Sequence, residues 1–368
     1  MKFAFVIHPT SLEDVLRYEP GAAGKGLPLI RKIMEWMPAY AAAHITGVRT
    51  LDGRETEGWF VAATYMPEQM LALPRETVYG KILKAIEIGA GLGAEVAGLG
   101  AFTGVVGDAG VTIAERSPIA VTTGNSLTIA AGVESVLRGA REMEIDLPRA
   151  TAVVIGATGS IGSACVELIA PHVEHIVLVA RNATRLRALQ ARLEGNVPCG
   201  LSIETDVRAG VRRGQVVLTA TTSTQELIEP DDLQTGAVVC ELSLPHDVGR
   251  RVAHERPDVL VTEGGNMRVP GSPRFRRVRE PDLDFDLGLP PRTALACMSE
   301  TMVLALEDRR EHYTLGRGID LAKVREISGL AARAGFTLAD MRAFDKAVTP
   351  ERVAAVKHAA AMRRARAV

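Results

Sequence analysis

The sequence predicts an α/β fold: a small N-terminal α/β domain, then a doubly wound parallel sheet, then C-terminal helices. Two observations predict it. Between 151 and 262, five short β-branched runs alternate with segments of helical spacing: 151–155 (TAVVI), 176–180 (IVLVA), 215–219 (QVVLT), 237–241 (AVVCE) and 258–262 (DVLVT). That is the pattern of parallel strands joined by crossover helices. Ahead of Pro148 the pattern differs, with apolar runs at 3–7 (FAFVI) and 58–65 (GWFVAATY) set among helical stretches. At 368 residues the chain is longer than one ordinary core, so two domains are expected.

Composition narrows the class. With 47% hydrophobic and 24% charged residues the chain is an ordinary globular one. A net charge of -1 and a pI near 6.7 give no field to hold nucleic acid or an anionic bilayer. Cys165, Cys199, Cys240 and Cys297 are far apart, with no C-x-x-C pair, so no metal site is expected and the thiols are read as free. No apolar stretch approaches the ~20 residues that span a bilayer. The five-residue apolar run at the start is too short for a signal sequence. A cytoplasmic chain without integral membrane association is expected, and the sequence leaves room for a homo-oligomer.

In order along the chain, the runs at 3–7 and 58–65 read as buried strands, ending at His8-Pro9 and Met66-Pro67. The spacing of Val78, Ile82, Ala85, Ile86 and Gly89 predicts a helix over 77–90. Gly-rich stretches at 89–100 and 104–110 read as loops. Ile129, Val133, Val136, Leu137 and Ala140 predict a helix over 126–143, capped by Asn125 or Ser126 and stopped before Pro148. The expected segments are therefore 1–122, a connecting helix at 123–148, the doubly wound domain at 149–265, and 266–368. Within the last, 266–291 reads as irregular, 292–310, 319–334 and 337–345 as helices, and the rest as a polar tail in which Arg363, Arg364 and Arg366 are frayed.

The strongest motif follows the first run of the doubly wound part: Gly156-Ala157-Thr158-Gly159-Ser160-Ile161-Gly162. A strand, a Gly-rich turn and an apolar helix in that order let the backbone approach a pyrophosphate, whose charge the helix N-terminus accepts. This marks a Rossmann nucleotide-binding domain. The spacing is G-x-x-G-x-x-G instead of the commoner G-x-G-x-x-G. Where NAD enzymes carry an acid for the ribose 2′-hydroxyl, this chain has Arg181 and Asn182, with Arg185 one turn on. Arginines there suit a 2′-phosphate, so NADP(H) is the expected cofactor; the alternative is that Arg181 is solvated. Thr221 and Thr222, after the 215–219 run, either line the dinucleotide or cap a helix.

An ordered set of segments then resembles one family, the long-chain acyl-[acyl-carrier-protein] reductases. The set comprises His8 to Glu13, Met66-Pro67-Glu68, Leu99 to Thr103, Thr122 to Asn125 with Thr128, the Gly156 turn with Ala180 to Asn182, Gly264-Gly265, and Ala296-Cys297-x-x-Glu300. It spans residues 1 to about 340. The resemblance implies an NADPH-dependent reduction of a fatty acyl thioester to the aldehyde, with acyl carrier protein or acyl-CoA as carrier. It makes Cys297 the acylated nucleophile, a role suited to a thiolate that attacks thioesters and leaves when hydride reaches the acyl carbon. It makes the N-terminal domain the substrate-binding one, with Phe102, Thr123 and Asn125 near the substrate, and makes 266–368 the part that completes the active site.

The residues alone leave more open. Cys297 sits in an apolar helix pattern, where a cysteine is often core. Glu300, one turn on, serves proton transfer or orientation, or faces solvent. Thr123 and Asn125 also suit a helix cap. The stretch Cys240 to Gly249 resembles the matching loop of glutamyl-tRNA reductases, and His246 within it is a candidate proton donor or a loop residue. The N-terminal cysteine motif of those enzymes is missing, which disfavours aminoacyl-tRNA. The region 266–291 departs from the acyl reductase pattern; its Arg268, Arg274, Arg276, Arg277 and Arg279 would receive an acidic carrier or coenzyme A phosphates, or form a solvated loop. Two rival functions stand beside the favoured one. A shikimate-type alcohol dehydrogenase would need a Lys/Asp pair, and Lys81 and Lys84 are present but without the Asn-x-Thr-x-Pro-x-Lys pattern of such enzymes, while a non-catalytic NADP(H)-binding sensor would need no catalytic residue.

Overall fold

The computed structural model describes residues 1–223, 225–244 and 246–367; Pro245, within the 240–249 string, and Val368 lie outside the described residues. The chain divides into two compact units, Met1–Leu127 with Met267–Thr337, and Thr128–Asn266 with Leu338–Val368. The 266–368 stretch, read as one segment from sequence, is thus shared between them.

The first unit begins with β1 (Lys2–Ile7), α1 (Leu12–Tyr18), α2 (Leu27–Trp36), β2 (Tyr40–Arg49), β3 (Glu55–Ala62), α3 (Pro67–Ala72), α4 (Arg75–Gly91), β4 (Ala94–Leu99), α5 (Val111–Arg116) and β5 (Ala120–Thr122). Strands β3, β1, β4 and β5 run parallel, and β2 is antiparallel on β3. Helix α4 lies on β1 because Val78, Ile82, Ala85, Ile86 and Gly89 recur at helical spacing, and all are buried. A side chain at Gly89 would come within 2.4 Å of the Ala4 methyl, so this glycine sets the closeness of helix and sheet. Each fully buried Ile on that face contributes about 1.5–3 kcal/mol. The 89–100 stretch is a loop only in part, since β4 occupies 94–99. Gly98 serves packing there: a Cβ would lie 2.1 Å from the Thr301 hydroxyl.

Helix α6 (Asn125–Glu142) has its first turn in the first unit and continues in the second. There follow β6 (Thr151–Ile155), α7 (Ser160–Ile169), β7 (His175–Val179), α8 (Ala183–Leu193), β8 (Gly200–Glu204), α9 (Val207–Val211), β9 (Val216–Thr219), β10 (Val238–Glu241), α10 (Arg250–Glu255) and β11 (Leu260–Glu263). All six strands are parallel, in the order β11-β10-β9-β6-β7-β8. Helices cover both faces, so the central strands are buried through and read as continuous Val, Ile and Leu. Between 149 and 265 the chain thus has a Rossmann-like doubly wound sheet, and the whole is α/β as the alternation predicts.

The last hundred residues depart most from the pattern their sequence predicts. They form β12 (Asn266–Arg268), β13 (Gly271–Arg277), β14 (Thr293–Leu295), α11 (Ala296–Leu306), α12 (Leu321–Ala334), β15 (Thr337–Leu338), β16 (Arg342–Ala343), β17 (Lys346–Ala347) and α13 (Pro350–Ala367). The stretch read as irregular contains β13, which pairs antiparallel with β2, Phe275 opposite Ile45. Phe275 stacks on Phe60, so one aromatic among arginines suffices to dock the edge strand. The helix expected at 337–345 is instead a hairpin of β16 and β17. Phe344 and Asp345 take successive left-handed angles (φ 52° and 65°), the geometry of a tight two-residue hairpin turn. The polar tail is helix α13, started by Pro350 at its first turn. Its narrow stripe of Val353, Val356 and Ala360 is buried, the two valines in a cluster with Met143, Val238 and Leu260. Arg363 stands 3.6 Å from Asp258 and Arg364 donates to the Thr235 carbonyl, so neither is frayed. No helix among the described residues is long and apolar enough to cross a membrane.

Candidate active-site residues

In the first unit, the carboxyl ends of β1, β4 and β5 collect the expected substrate residues. His8 follows β1 and is buried; its Nδ1 donates to the Pro9 carbonyl (2.9 Å) and its Nε2 accepts the Phe102 N–H (3.0 Å). That pairing requires the neutral ring, and burial lowers its pKa to about 4. Phe102 sits edge-on to His8 and is 2% exposed.

Thr122 to Asn125 join β5 to α6. Gly124 has φ +73°, and a Cβ there would lie 2.4 Å from both Cα and Cβ of Cys297, so the turn packs directly on that cysteine. Cys297 is partly exposed and occupies the first turn of α11. Thr123 donates through its N–H and hydroxyl to the Thr314 carbonyl (2.9 and 3.1 Å). The structure therefore brings Cys297 against the turn that carries Thr123 and Asn125, through the Gly124 between them, while Phe102 belongs with His8.

Glu300 is not a surface residue. It is 0% exposed and accepts four hydrogen bonds: from the hydroxyls of Thr122 (2.5 Å) and Thr314 (2.9 Å), and from the N–H groups of Leu127 (2.8 Å) and Ser126. Its carboxylate occupies the N-terminus of α6 and fixes the turn that Cys297 faces. Burial raises its pKa against those donors. The Cys297 thiol is pushed up to about 12, first by burial and also by the Glu300 charge, which outweighs its place at a helix N-terminus. Glu300 thus fixes the Thr122 to Leu127 turn, and its charge raises the Cys297 pKa further.

In the second unit the Gly156 turn has the geometry its motif predicts. Gly156 has φ +80°, and a Cβ would lie 2.2 Å from the Ala220 carbonyl; a Cβ on Gly162 would lie 2.2 Å from the Gly156 carbonyl. No side chain caps α7, whose first-turn N–H groups at Ser160, Ile161 and Gly162 follow the exposed Gly159. Thr158, Ser160 and Ile161 are partly exposed beside it. The turn, the uncapped ten-residue helix and the reversal of strand order between β6 and β9 together fit a dinucleotide pyrophosphate.

Arg181 and Arg185 are exposed after β7 and enter no ion pair among the described residues. Asn182 caps α8, accepting the Arg185 N–H at 2.9 Å, so its carbonyl is already used. Thr221 is likewise engaged: its hydroxyl donates to Asp247 (2.7 Å) and its N–H to Ser243 (2.8 Å), while Thr222 is exposed. Asp247 is fully buried and also accepts from Ser243 (2.5 Å). His246 is half-buried beside the buried Glu241. Sequence reading passed over Glu241 and Asp247. The available signal was position, since Glu241 ends a β-branched strand at the carboxyl edge, where ligands bind.

Of the arginines at 268–279, two pair with acids and a third lies over a ring. Arg276 contacts Asp284 (3.3 Å), Arg277 pairs with Glu280 (3.0 Å), and Arg279 lies over the Tyr40 ring. Lys81 donates to the carbonyls of Met34, Glu35 and Met37 and contacts the Thr64 hydroxyl, over the Tyr65 ring; it ties off α2, whatever burial does to its pKa. Lys84 pairs with Glu87. No group of three or more His, Cys, Asp or Glu able to hold a metal occurs among the described residues.

Comparison with known proteins adds the following. The family described as shikimate / quinate 5-dehydrogenase matches residues 139–262, which lie in the second unit. The aminotransferase PigE of Serratia sp. is 28% identical over 367 residues, 97% of this chain, and the chain spans 42% of that protein's length. The long-chain acyl-[acyl-carrier-protein] reductase of Synechococcus elongatus is 28% identical over 360 residues, 91% of this chain and 98% of that protein. Among solved structures, quinate dehydrogenase from Corynebacterium glutamicum in complex with NAD aligns over 70% of this chain and 84% of its own, at 12% identity and a TM-score of 0.36. Glutamyl-tRNA reductase from Methanopyrus kandleri aligns over 78% and 55%, at 15% identity and a TM-score of 0.30. The chain has an NAD(P)-dependent oxidoreductase-like fold.

Proposed function

We propose that this chain is an NADPH-dependent reductase that converts a fatty acyl thioester, carried by acyl carrier protein or coenzyme A, to the aldehyde through an acyl group on Cys297. The observation that carries the reading is the seat of Cys297, at the first turn of α11 against a turn whose glycine has no room for a side chain. Full-length similarity to an acyl-[acyl-carrier-protein] reductase supports it.

Gly156, Thr158, Gly159, Ser160, Ile161 and Gly162 would hold the pyrophosphate, and Arg181 with Arg185 the 2′-phosphate, which selects NADPH. When bound, NADPH supplies a hydride. The chain's own residues do the rest. The Cys297 thiolate attacks the thioester carbonyl, and the carrier leaves as a thiol, taking up one proton. The C–S bond to Cys297 breaks after the acyl carbon has gained hydride, and the aldehyde departs. Glu300, held by Thr122, Thr314 and the start of α6, fixes the turn whose Gly124 packs on Cys297 and acts as a positioning residue. Because burial keeps Cys297 as a thiol at neutral pH, acyl transfer should quicken as pH rises through 7 to 9.

The alcohol dehydrogenase reading finds neither of its lysines free, since Lys81 donates to three carbonyls and Lys84 pairs with Glu87. Supplying an acyl thioester with NADPH separates the readings. The proposal expects one free thiol and one aldehyde per NADPH oxidised. Cofactor turnover only with hydroxy acids or ketones, or cofactor binding with no turnover, would contradict it.

A further inference from the structure

The strand order of the second unit assigns its two halves. The chain leaves β6 toward β7 and β8, then returns on the other side through β9, β10 and β11. In a sheet wound this way a dinucleotide lies across the carboxyl edge at the reversal, with one nucleotide on each half. Arg181 follows β7, on the half that would take the adenosine ribose. The residues after β9 and β10 stand on the half that would take the nicotinamide.

On that half Glu241 ends β10, 4% exposed, and its Oε1 accepts the Val248 N–H at 2.7 Å. Its Oε2 lies 3.3 Å from Nδ1 of His246, within ion-pair range though short of an aligned hydrogen bond. The His246 ring is 40% exposed, and Nε2 is the ring nitrogen turned away from the carboxylate. A buried carboxylate held on a backbone N–H, with a half-exposed imidazole leaning on it, is the arrangement that orients and charges a proton donor.

We infer that His246 and Glu241 form a dyad that supplies the proton for carbonyl reduction, His246 donating through Nε2 and Glu241 acting as the positioning residue. This rests on the nicotinamide part of the proposed function and is separate from the acylation of Cys297. As hydride adds to the carbonyl carbon, the C=O π pair moves to oxygen. The Nε2–H bond breaks, its electron pair staying on nitrogen, and an O–H bond forms. His246 is left neutral. When the carbon–sulfur bond of the reduced centre breaks, the hydroxyl proton returns to Nε2, the C=O bond re-forms and the thiolate leaves.

The surrounding charges favour a protonated ring. Glu241 is the largest cause raising the His246 pKa; Glu263, at the end of β11, and Asp345, in the turn after β16, add to it, and burial opposes. The nearby cations are committed: Arg342 stands 3.6 Å from Glu263, and Arg250 3.3 Å from Asp345. Asp247, next in the chain, turns its carboxylate to Thr221 and Ser243. With its pKa raised, His246 stays protonated to higher pH and loses the donor proton as pH climbs through that value.

The test is an NMR titration of His246 in the full chain without cofactor. Glu241→Gln keeps an acceptor for Val248 and removes the charge, and is expected to lower the His246 pKa by about one unit. Glu241→Asp, which restores charge at a greater distance, should fall between, and serves if the Gln variant fails to fold. In NADPH-dependent reduction, the alkaline limb of the pH profile should move down by the same shift in Glu241→Gln. His246→Gln should remove that limb, slow reduction roughly a hundredfold, and leave acyl groups accumulated on the protein. An unshifted His246 in both Glu241 variants, or reduction of unchanged rate and profile in His246→Gln, overturns the dyad. Absence of any acyl adduct on Cys297 sinks the thioester proposal instead, so the two failures are told apart.

Discussion

Two turns in this chain share one construction and differ in what they hold. Each leaves a parallel strand, β5 or β6, passes a glycine with a left-handed backbone, Gly124 or Gly156, and enters a helix, α6 or α7. At α6 the helix N-terminus is filled by the protein's own anion, the buried Glu300 carboxylate. At α7 no side chain caps the helix. The glycines differ likewise, since the space of a Cβ is taken at Gly156 by the Ala220 carbonyl, just after β9, and at Gly124 by the backbone and Cβ of Cys297. A strand-turn-helix unit therefore either leaves its helix N-terminus open, as at α7, or fills it from within, as at α6, and the difference is whether a carboxylate already sits on the helix.

Substitutions can break that comparison at either turn. Gly156→Ala forces a Cβ to 2.2 Å from a carbonyl at φ +80° and should weaken NADPH binding more than a hundredfold in a calorimetric titration, leaving acyl transfer to Cys297 intact. Gly124→Ala should do the reverse. Shifting Cys297 by about 1 Å costs on the order of a hundredfold in acyl transfer, with cofactor affinity unchanged. If each variant loses both properties, the two turns are not separate devices.

Glu300→Ala leaves two hydroxyls and two N–H groups without their buried acceptor and should cost on the order of 3 kcal/mol in urea unfolding. His8 offers a pH test of the first unit. Its folded pKa near 4 lies below the ordinary 6.5, so its contribution is full above pH 6.5 and is lost as pH falls toward 4. The linked loss is about 3 kcal/mol, and His8→Leu should flatten it. The smallest effect expected is at Arg181. Its replacement by Ala should weaken NADPH roughly tenfold and NADH little, since an exposed arginine contributes about one charged hydrogen-bond pair; equal losses would remove the 2′-phosphate assignment.

What was legible in the sequence follows from distance along the chain. The Gly156 turn is local, so strand, glycines and helix stand within twenty residues and predict the doubly wound sheet. Glu300 is not local. Its partners lie at 122–127 and at 314, and a glutamate within a helix pattern reads as surface until those donors are brought to it. Strand β13 was hidden by its arginines, which find acids and rings in the fold, and α13 by a stripe of only three apolar positions. Thr221 and Asn182 were legible as polar groups near the nucleotide site, but not the Asp247 carboxylate and the helix start that occupy them.

The central claim, that the Gly124 turn fixes a cysteine that carries the acyl group, is tested most directly by intact mass. The chain is incubated at pH 8.5 with long-chain acyl-CoA or acyl carrier thioester, without NADPH. The account predicts a single added acyl mass, lost in Cys297→Ala, kept in Cys165→Ala and Cys240→Ala, and discharged as aldehyde when NADPH is added. No adduct at any chain length from a chain that still binds NADPH, or an adduct that survives in Cys297→Ala, would contradict it.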